Sequence, residues 1–172
     1  HYKLDPQKEE LQKLSLQVID EYGFATIITN IEQKSSEKEL SKEQNEEPEY
    51  FITQVPLILD RRGGDTYLIG HMARANPHWR LLEKQKNIFI LFQGPSTYIS
   101  PAWYFERDDN VPTWNYVSVH VNGLFSVFSE PRRSYEVLCR LTKKYESEFG
   151  TGWKLPDEIP SVLEADLKGI TS

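Results

Sequence analysis

Two stretches of this 172-residue chain, 70–79 (GHMARANPHW) and 92–104 (FQGPSTYISPAWY), concentrate side chains with an apolar body and one polar tip. Such residues line grooves that hold flat ligands with polar edges. A third stretch, 111–116 (VPTWNY), follows closely, and three of the four tryptophans lie between positions 70 and 116. In the first stretch, His71 and Arg74 precede Asn76 and Pro77. Asparagine is a strong N-cap and proline suits the first helical position, so a helix is predicted over 77–84, burying Trp79, Leu81 and Leu82. Arg74 then stands just before a helix N-terminus. Unpaired N–H groups, the positive end of the dipole and a planar guanidinium together attract phosphate there. The competing reading pairs Arg74 with a carboxylate and leaves Asn76 only a cap. Tyr98, Trp103, Tyr104, Trp114 and Tyr116 would need five hydrogen-bond partners if buried, which favours a cleft or an interface.

Other chemistries lack their residues. The chain has no cysteine pair, no HExxH, no GxSxG and no GxxxxGK, so neither a metal site nor a nucleophile with its base can be named. Catalytic residues therefore stay unassigned. His71 and His78 are seven positions apart across the turn and do not form an i, i+4 metal pair. His120, on an alternating strand, reads as an ordinary half-buried histidine.

The elements that must hold these stretches can be read from periodicity. Leu11, Leu14, Val18 and Ile19 give one buried face to a helix over 5–21, ended by Gly23. Strands are predicted at 24–29, 51–60, 65–71 and 87–92, with 97–100 extended beyond a break at Gly94-Pro95-Ser96, and at 113–128 with a bend near Gly123. Pro56 inside the second strand implies an edge, a bulge or a close approach to the backbone. Helices are expected from Pro131 to about Phe149, with Val137, Leu138, Leu141 and Tyr145 inward, and over 159–168. Strands joined by short links, with helices at both ends, make a mainly β, α+β chain with an antiparallel barrel-like sheet in a single domain, 1–172.

Residues 32–49 differ in kind: seven acids, three lysines and one strongly apolar residue, Leu40. That composition predicts a disordered acidic insertion. It supplies most of the net charge of −6, which argues against a broad basic surface for nucleic acid. No apolar run approaches the roughly 20 residues of a membrane span. With Cys139 as the only cysteine, a cytoplasmic setting is expected.

The segments GHMARANPHW, FQGPSTYISPAWY and VPTWNYVSVH, with QVPLILD ahead of them, resemble the signature blocks of the PaiB-type FMN-binding negative transcriptional regulators. The resemblance covers 23–128 strongly and the terminal helices weakly. It implies an antiparallel FMN-binding split β-barrel, similar in fold to pyridoxamine phosphate oxidase, with FMN at the interface of a homodimer. Arg74, with Ala75, Asn76 and His71, would hold the phosphate; the backbone of Val55 and Pro56 would border the isoalloxazine; Tyr98, Ser100, Trp114 and Asn115 would close the pocket. Gln54 stands where the family often has His, the 32–49 insertion is unusually long, and the family pattern continues past 167–170 (LKGI), so a truncated C-terminus is expected. The resemblance implies a regulatory or sensing role. Direct DNA binding would have to use the α-helical face carrying Arg132, Arg133, Arg140, Lys143 and Lys144. The alternatives are a flavin-dependent oxidoreductase, or a haem-binding or haem-degrading split barrel with His71, His78 or His120 as axial ligand.

Overall fold

Alternating burial along the strands sets the architecture. The structure, a computed structural model, describes residues 6–31 and 50–172; the acidic insertion expected at 32–49 lies outside them. The described strands are β1 (Phe24–Asn30), β2 (Tyr50–Arg62), β3 (Asp65–Gly70), β4 (Met72–Ala73), β5 (Asn87–Ile99), β6 (Thr113–Leu124) and β7 (Ile170–Thr171). Five of them form one antiparallel sheet in the order β3-β2-β1-β5-β6, and β4 pairs with β7. The helices are α1 (Pro6–Glu21), α2 (His78–Gln85), α3 (Pro131–Phe149) and α4 (Glu164–Lys168). This is the mainly antiparallel α+β arrangement expected, consistent with a split barrel whose sheet is not closed.

Ala25 and Ile27 of β1, Val55 and Leu57 of β2, and Ile90 and Phe92 of β5 point to one face, where Ile19 of α1 and Leu82 of α2 join them in the main core. Each of these side chains larger than alanine contributes about 1.5–3 kcal/mol by leaving water. A second cluster forms where Val137 and Leu141 of α3 meet Ile58, with Ile69 packed against them. Polar groups tie the same helix down: Arg140 and Arg62 bond the buried Asp60 carboxylate at 2.9 and 2.6 Å. The Arg140 hydrogen bond in particular holds the Asp60 carboxyl below its ordinary range.

Pro56 is on an interior strand, not an edge. β2 pairs with β1 from Tyr50 up to Pro56 and with β3 from Leu57 onward, so the proline falls where the strand changes its neighbour. Directly beyond this point, Gly70 lies against β2 so closely that a Cβ would sit 2.6 Å from both the Pro56 carbonyl oxygen and a Leu57 methyl. Gly70→Val should therefore lower stability by about 1–3 kcal/mol through overpacking, read by urea denaturation. An unchanged midpoint would show that β3 can move away from β2.

The last residues reach across the open side of the sheet. β7 pairs with β4 (Met72↔Thr171, Ala73↔Ile170), and Ser172 exchanges backbone hydrogen bonds with Phe128 at 2.8 and 3.2 Å. The strand is thus held between β4, which follows β3, and the segment that follows β6.

Candidate functional site

The turn between β4 and α2 is built around Asn76. Its Oδ1 accepts the His78 N–H at 3.0 Å, its Nδ2 donates to Thr53 Oγ1 at 3.1 Å, and its own N–H donates to the Ala73 carbonyl at 2.9 Å. The cap works as the sequence predicts, although the helix itself begins one residue later, at His78. Of the backbone donors at this end, Pro77 has none and those of Asn76 and His78 have acceptors, while the Ala75 and Trp79 N–H groups have none among the described residues. The anion-binding capacity at this turn rests on those two donors and on Arg74. The half-buried Arg74 uses Nε on the Ile170 carbonyl at 2.9 Å, and no carboxylate pairs with it among the described residues. Its two terminal amino groups have no protein acceptor there, so the planar end of the guanidinium is available to a ligand.

His71, three residues earlier, is half-buried, and its Nδ1 is sealed from water with no hydrogen-bond partner. Burial pushes its pKa below the ordinary histidine value, so the ring is held neutral. It lines a cavity of about 680 Å³, together with Val55, Gly70 and Met72. The ring thus borders the cavity, while the covered Nδ1 itself stays without a partner. Val55 points into the core and Pro56 to the opposite face of β2, so the two border this strip from different sides.

The second set of expected residues lies elsewhere. Beyond a bulge between Gln93 and Ser96, β5 and β6 continue as a two-stranded ribbon in which Thr97 pairs with Asn115 and Tyr98 with Trp114. The Tyr98 and Trp114 rings meet edge-on, 5.8 Å between centroids. Ser100 Oγ accepts the Ala102 N–H at 3.2 Å and opens a short 3-10 turn, Pro101–Trp103. The aromatic tips that would need partners if buried are instead in solvent: Trp103 is 67%, Trp114 61% and Tyr116 70% exposed. In the sheet β1 lies between β2 and β5, and among the described residues no hydrogen bond or ring contact joins Tyr98, Ser100, Trp114 and Asn115 to Val55, Pro56, His71, Arg74, Ala75 and Asn76.

His78 has a role that the sequence does not show. It is fully buried, with Nδ1 2.8 Å from Thr53 Oγ1, Nε2 2.7 Å from Thr29 Oγ1 and its ring 4.7 Å from that of Phe51. Both nitrogens are used, which removes it as an axial ligand; desolvation lowers its pKa to about 4. His120 is exposed, not half-buried, and meets the Phe89 ring edge-on. The basic face of α3 is largely neutralised: Arg132 pairs with Glu136, Arg133 with Glu130, Arg140 with Asp60 and Lys144 with Asp20, leaving Lys143 without an ion pair among the described residues.

Comparisons with known proteins fit this geometry. The family described as "Putative FMN-binding domain" matches residues 2–172. The chain is 32% identical over 152 residues to protease synthase and sporulation protein PAI 2 of Bacillus subtilis, an alignment covering 88% of this chain and 65% of that protein. It is also 32% identical over 112 residues to the uncharacterized protein YKL070W of Saccharomyces cerevisiae, covering 62% of this chain and 66% of the other. The chain thus spans a little under two thirds of the length of each of these curated relatives. Among the described residues, no helix is long and apolar enough to cross a membrane. With the match running over nearly its whole length, the chain belongs to the PaiB-type family of FMN-binding domains, whose cofactor is FMN.

Proposed function

We propose that this chain is the FMN-binding module of a homodimeric regulatory protein, with the flavin shared between two copies. The observation that carries the reading is the split of the site. One copy offers Arg74 with unpaired terminal amino groups and, three residues earlier in the chain, a buried His71 nitrogen without a partner. The exposed ribbon holds the aromatic residues that would cover a flat ring, on strands that β1 separates from β2 in the sheet.

The residues fit the group. Arg74 would take the phosphate as a bidentate donor, with the Ala75 and Asn76 turn alongside it. His71 would meet a polar edge of the ring system, and the β2 backbone at Val55 and Pro56 would border it. Tyr98, Ser100, Trp114 and Asn115 of a second copy would exclude water from its face. Bound FMN supplies electron-transfer chemistry and a visible chromophore; the protein supplies binding, orientation and electrostatics. A flavin enzyme need not assemble an acid, base or nucleophile of its own, so a flavin-dependent oxidoreductase stands as the alternative to sensing or regulation. The neutralised face of α3 favours regulation that does not run through DNA contacts of that helix.

Arg74→Ala should weaken FMN binding about tenfold to a hundredfold, equivalent to about 1.5–3 kcal/mol, in a flavin fluorescence titration. Retention of wild-type affinity would move the phosphate elsewhere. A wild-type chain that takes up no flavin at all would end the reading.

A further inference from the structure

Two neighbouring residues of α2 are turned to different tasks. His78 points inward to hydroxyls of β1 and β2, whereas Trp79 folds back over the preceding turn. The half-buried Trp79 ring packs against the main core, and the Arg80 guanidinium lies over it, 4.7 Å from the ring centroid. The indole N–H donates to the carbonyl of Arg74, five residues earlier, at 3.1 Å.

That bond is one of three that pin Arg74. The Arg74 N–H donates to the Gly169 carbonyl at 2.8 Å, and Nε donates to the Ile170 carbonyl at 2.9 Å. Both of those acceptors are backbone groups. The bond to the Arg74 carbonyl comes from another residue's side chain, so a substitution can remove it alone.

The carbonyl matters because of what shares its peptide unit. A peptide unit is planar and trans, so its C=O and N–H point in opposite directions. The unit that carries the Arg74 carbonyl also carries the Ala75 N–H, which has no acceptor among the described residues. With the carbonyl held toward the indole, the Ala75 N–H is directed away from it. Rotation of the unit would instead turn carbonyl lone pairs toward an approaching anion. A hydrogen bond at the carbonyl also polarises the unit and strengthens its N–H as a donor.

We propose that Trp79 is a positioning residue for the flavin phosphate: its indole N–H fixes the Arg74–Ala75 peptide unit and so aims the Ala75 N–H at the anion that Arg74 receives. The inference rests on the reading above that places the phosphate at this turn. The role of Trp79 then depends on the phosphate of the ligand and not on its ring system.

The test compares FMN with riboflavin, which has the same ring system and no phosphate. Flavin fluorescence titrations are run on the wild-type chain, Arg74→Ala and Trp79→Phe. Phenylalanine keeps an aromatic ring against the core and lacks the N–H. Trp79→Phe should weaken FMN binding about threefold to tenfold, the range of one hydrogen bond, and change riboflavin binding by less than about twofold. Unchanged affinity for FMN overturns the proposal. Equal losses for the two flavins make Trp79 a packing residue only and overturn it as well. A preference for FMN that survives in Arg74→Ala moves the phosphate elsewhere, so the underlying reading fails and the proposal with it. A preference lost in Arg74→Ala but kept in full in Trp79→Phe overturns the proposal alone. Should Trp79→Phe not fold, benzothienylalanine at position 79 keeps the bicyclic shape without the N–H and is measured in its place.

Discussion

Replacing His78 by alanine will lower the unfolding free energy by about 3–5 kcal/mol at neutral pH, near the upper end for a single substitution. The ring fills a fully buried site and bridges two strands through Thr29 and Thr53, hydroxyls that are themselves buried. Its removal leaves a cavity, takes the side-chain partner from Thr29 Oγ1 and leaves Thr53 Oγ1 with Asn76 alone, at about 1–3 kcal/mol for an unsatisfied group besides the cavity term. Urea denaturation measures this, and a loss under 1 kcal/mol would mean that water replaces the ring without penalty. The same residue gives the chain a defined acid response. Its folded pKa of about 4 lies below the ordinary 6.5, so the unfolded state binds the extra proton between those values. The stability contributed by the neutral ring is complete above pH 6.5 and declines as pH falls toward 4, by about 3 kcal/mol in all at about 1.4 kcal/mol per pH unit. The His78→Ala variant should lose that slope. Asp60, with its pKa lowered, contributes in a lower window, below the ordinary carboxylate value of 3.8.

The second large effect concerns assembly. The chain should sediment as a homodimer at micromolar concentration, with well over roughly 2,000 Å² buried and Trp103 or Trp114 near the centre. Trp114→Glu combined with Tyr116→Glu should convert it to a species of about 20 kDa with an unchanged circular dichroism spectrum. Both side chains are more than half exposed, so folding does not require them, whereas charge at a buried interface centre opposes association. A wild-type chain that sediments at 20 kDa would remove the shared flavin site and leave the ribbon aromatics without a role.

Local signals made most of the frame legible. The apolar positions of α3, the Asn76-Pro77 cap and the run 87–92 each specify an element through neighbours within a turn or a pleat; α1 also falls where expected, but of its periodic positions Leu11 and Leu14 are 65% and 52% exposed and only Ile19 is buried, and β5 runs on through a bulge to Ile99. What the sequence leaves open is decided by contacts distant in the chain. Pro56 allows an edge, a bulge or a close approach to the backbone, and only the assembled sheet shows that β2 changes partner there with Gly70 close against its carbonyl. His78 is one of three histidines that the haem alternative admits as axial ligand, while the hydroxyls that claim both its nitrogens are 25 and 49 residues away. β7 is two residues long and carries no periodicity, so it is invisible until Met72 and Phe128 flank it. At the candidate site, the types of Arg74 and His71 are legible in the sequence, but which of their polar atoms lack protein partners depends on which acceptors the fold leaves unused.

The ribbon also bears on the order in which the molecule assembles. β5 and β6 are joined by a loop of 13 residues, from Ser100 to Pro112, whereas the seam between β1 and β5 unites Thr26 with Leu91, 65 positions apart. Closing the shorter loop removes less chain entropy, so the β5–β6 hairpin, like the β2–β3 hairpin with its two-residue turn, is expected to form in refolding before the β1–β5 seam closes. The aromatic surface would then exist before the sheet behind it is complete. Refolding at high protein concentration should therefore let hairpins of different molecules meet early, and yield should fall with concentration more steeply for the wild type than for the doubly substituted ribbon.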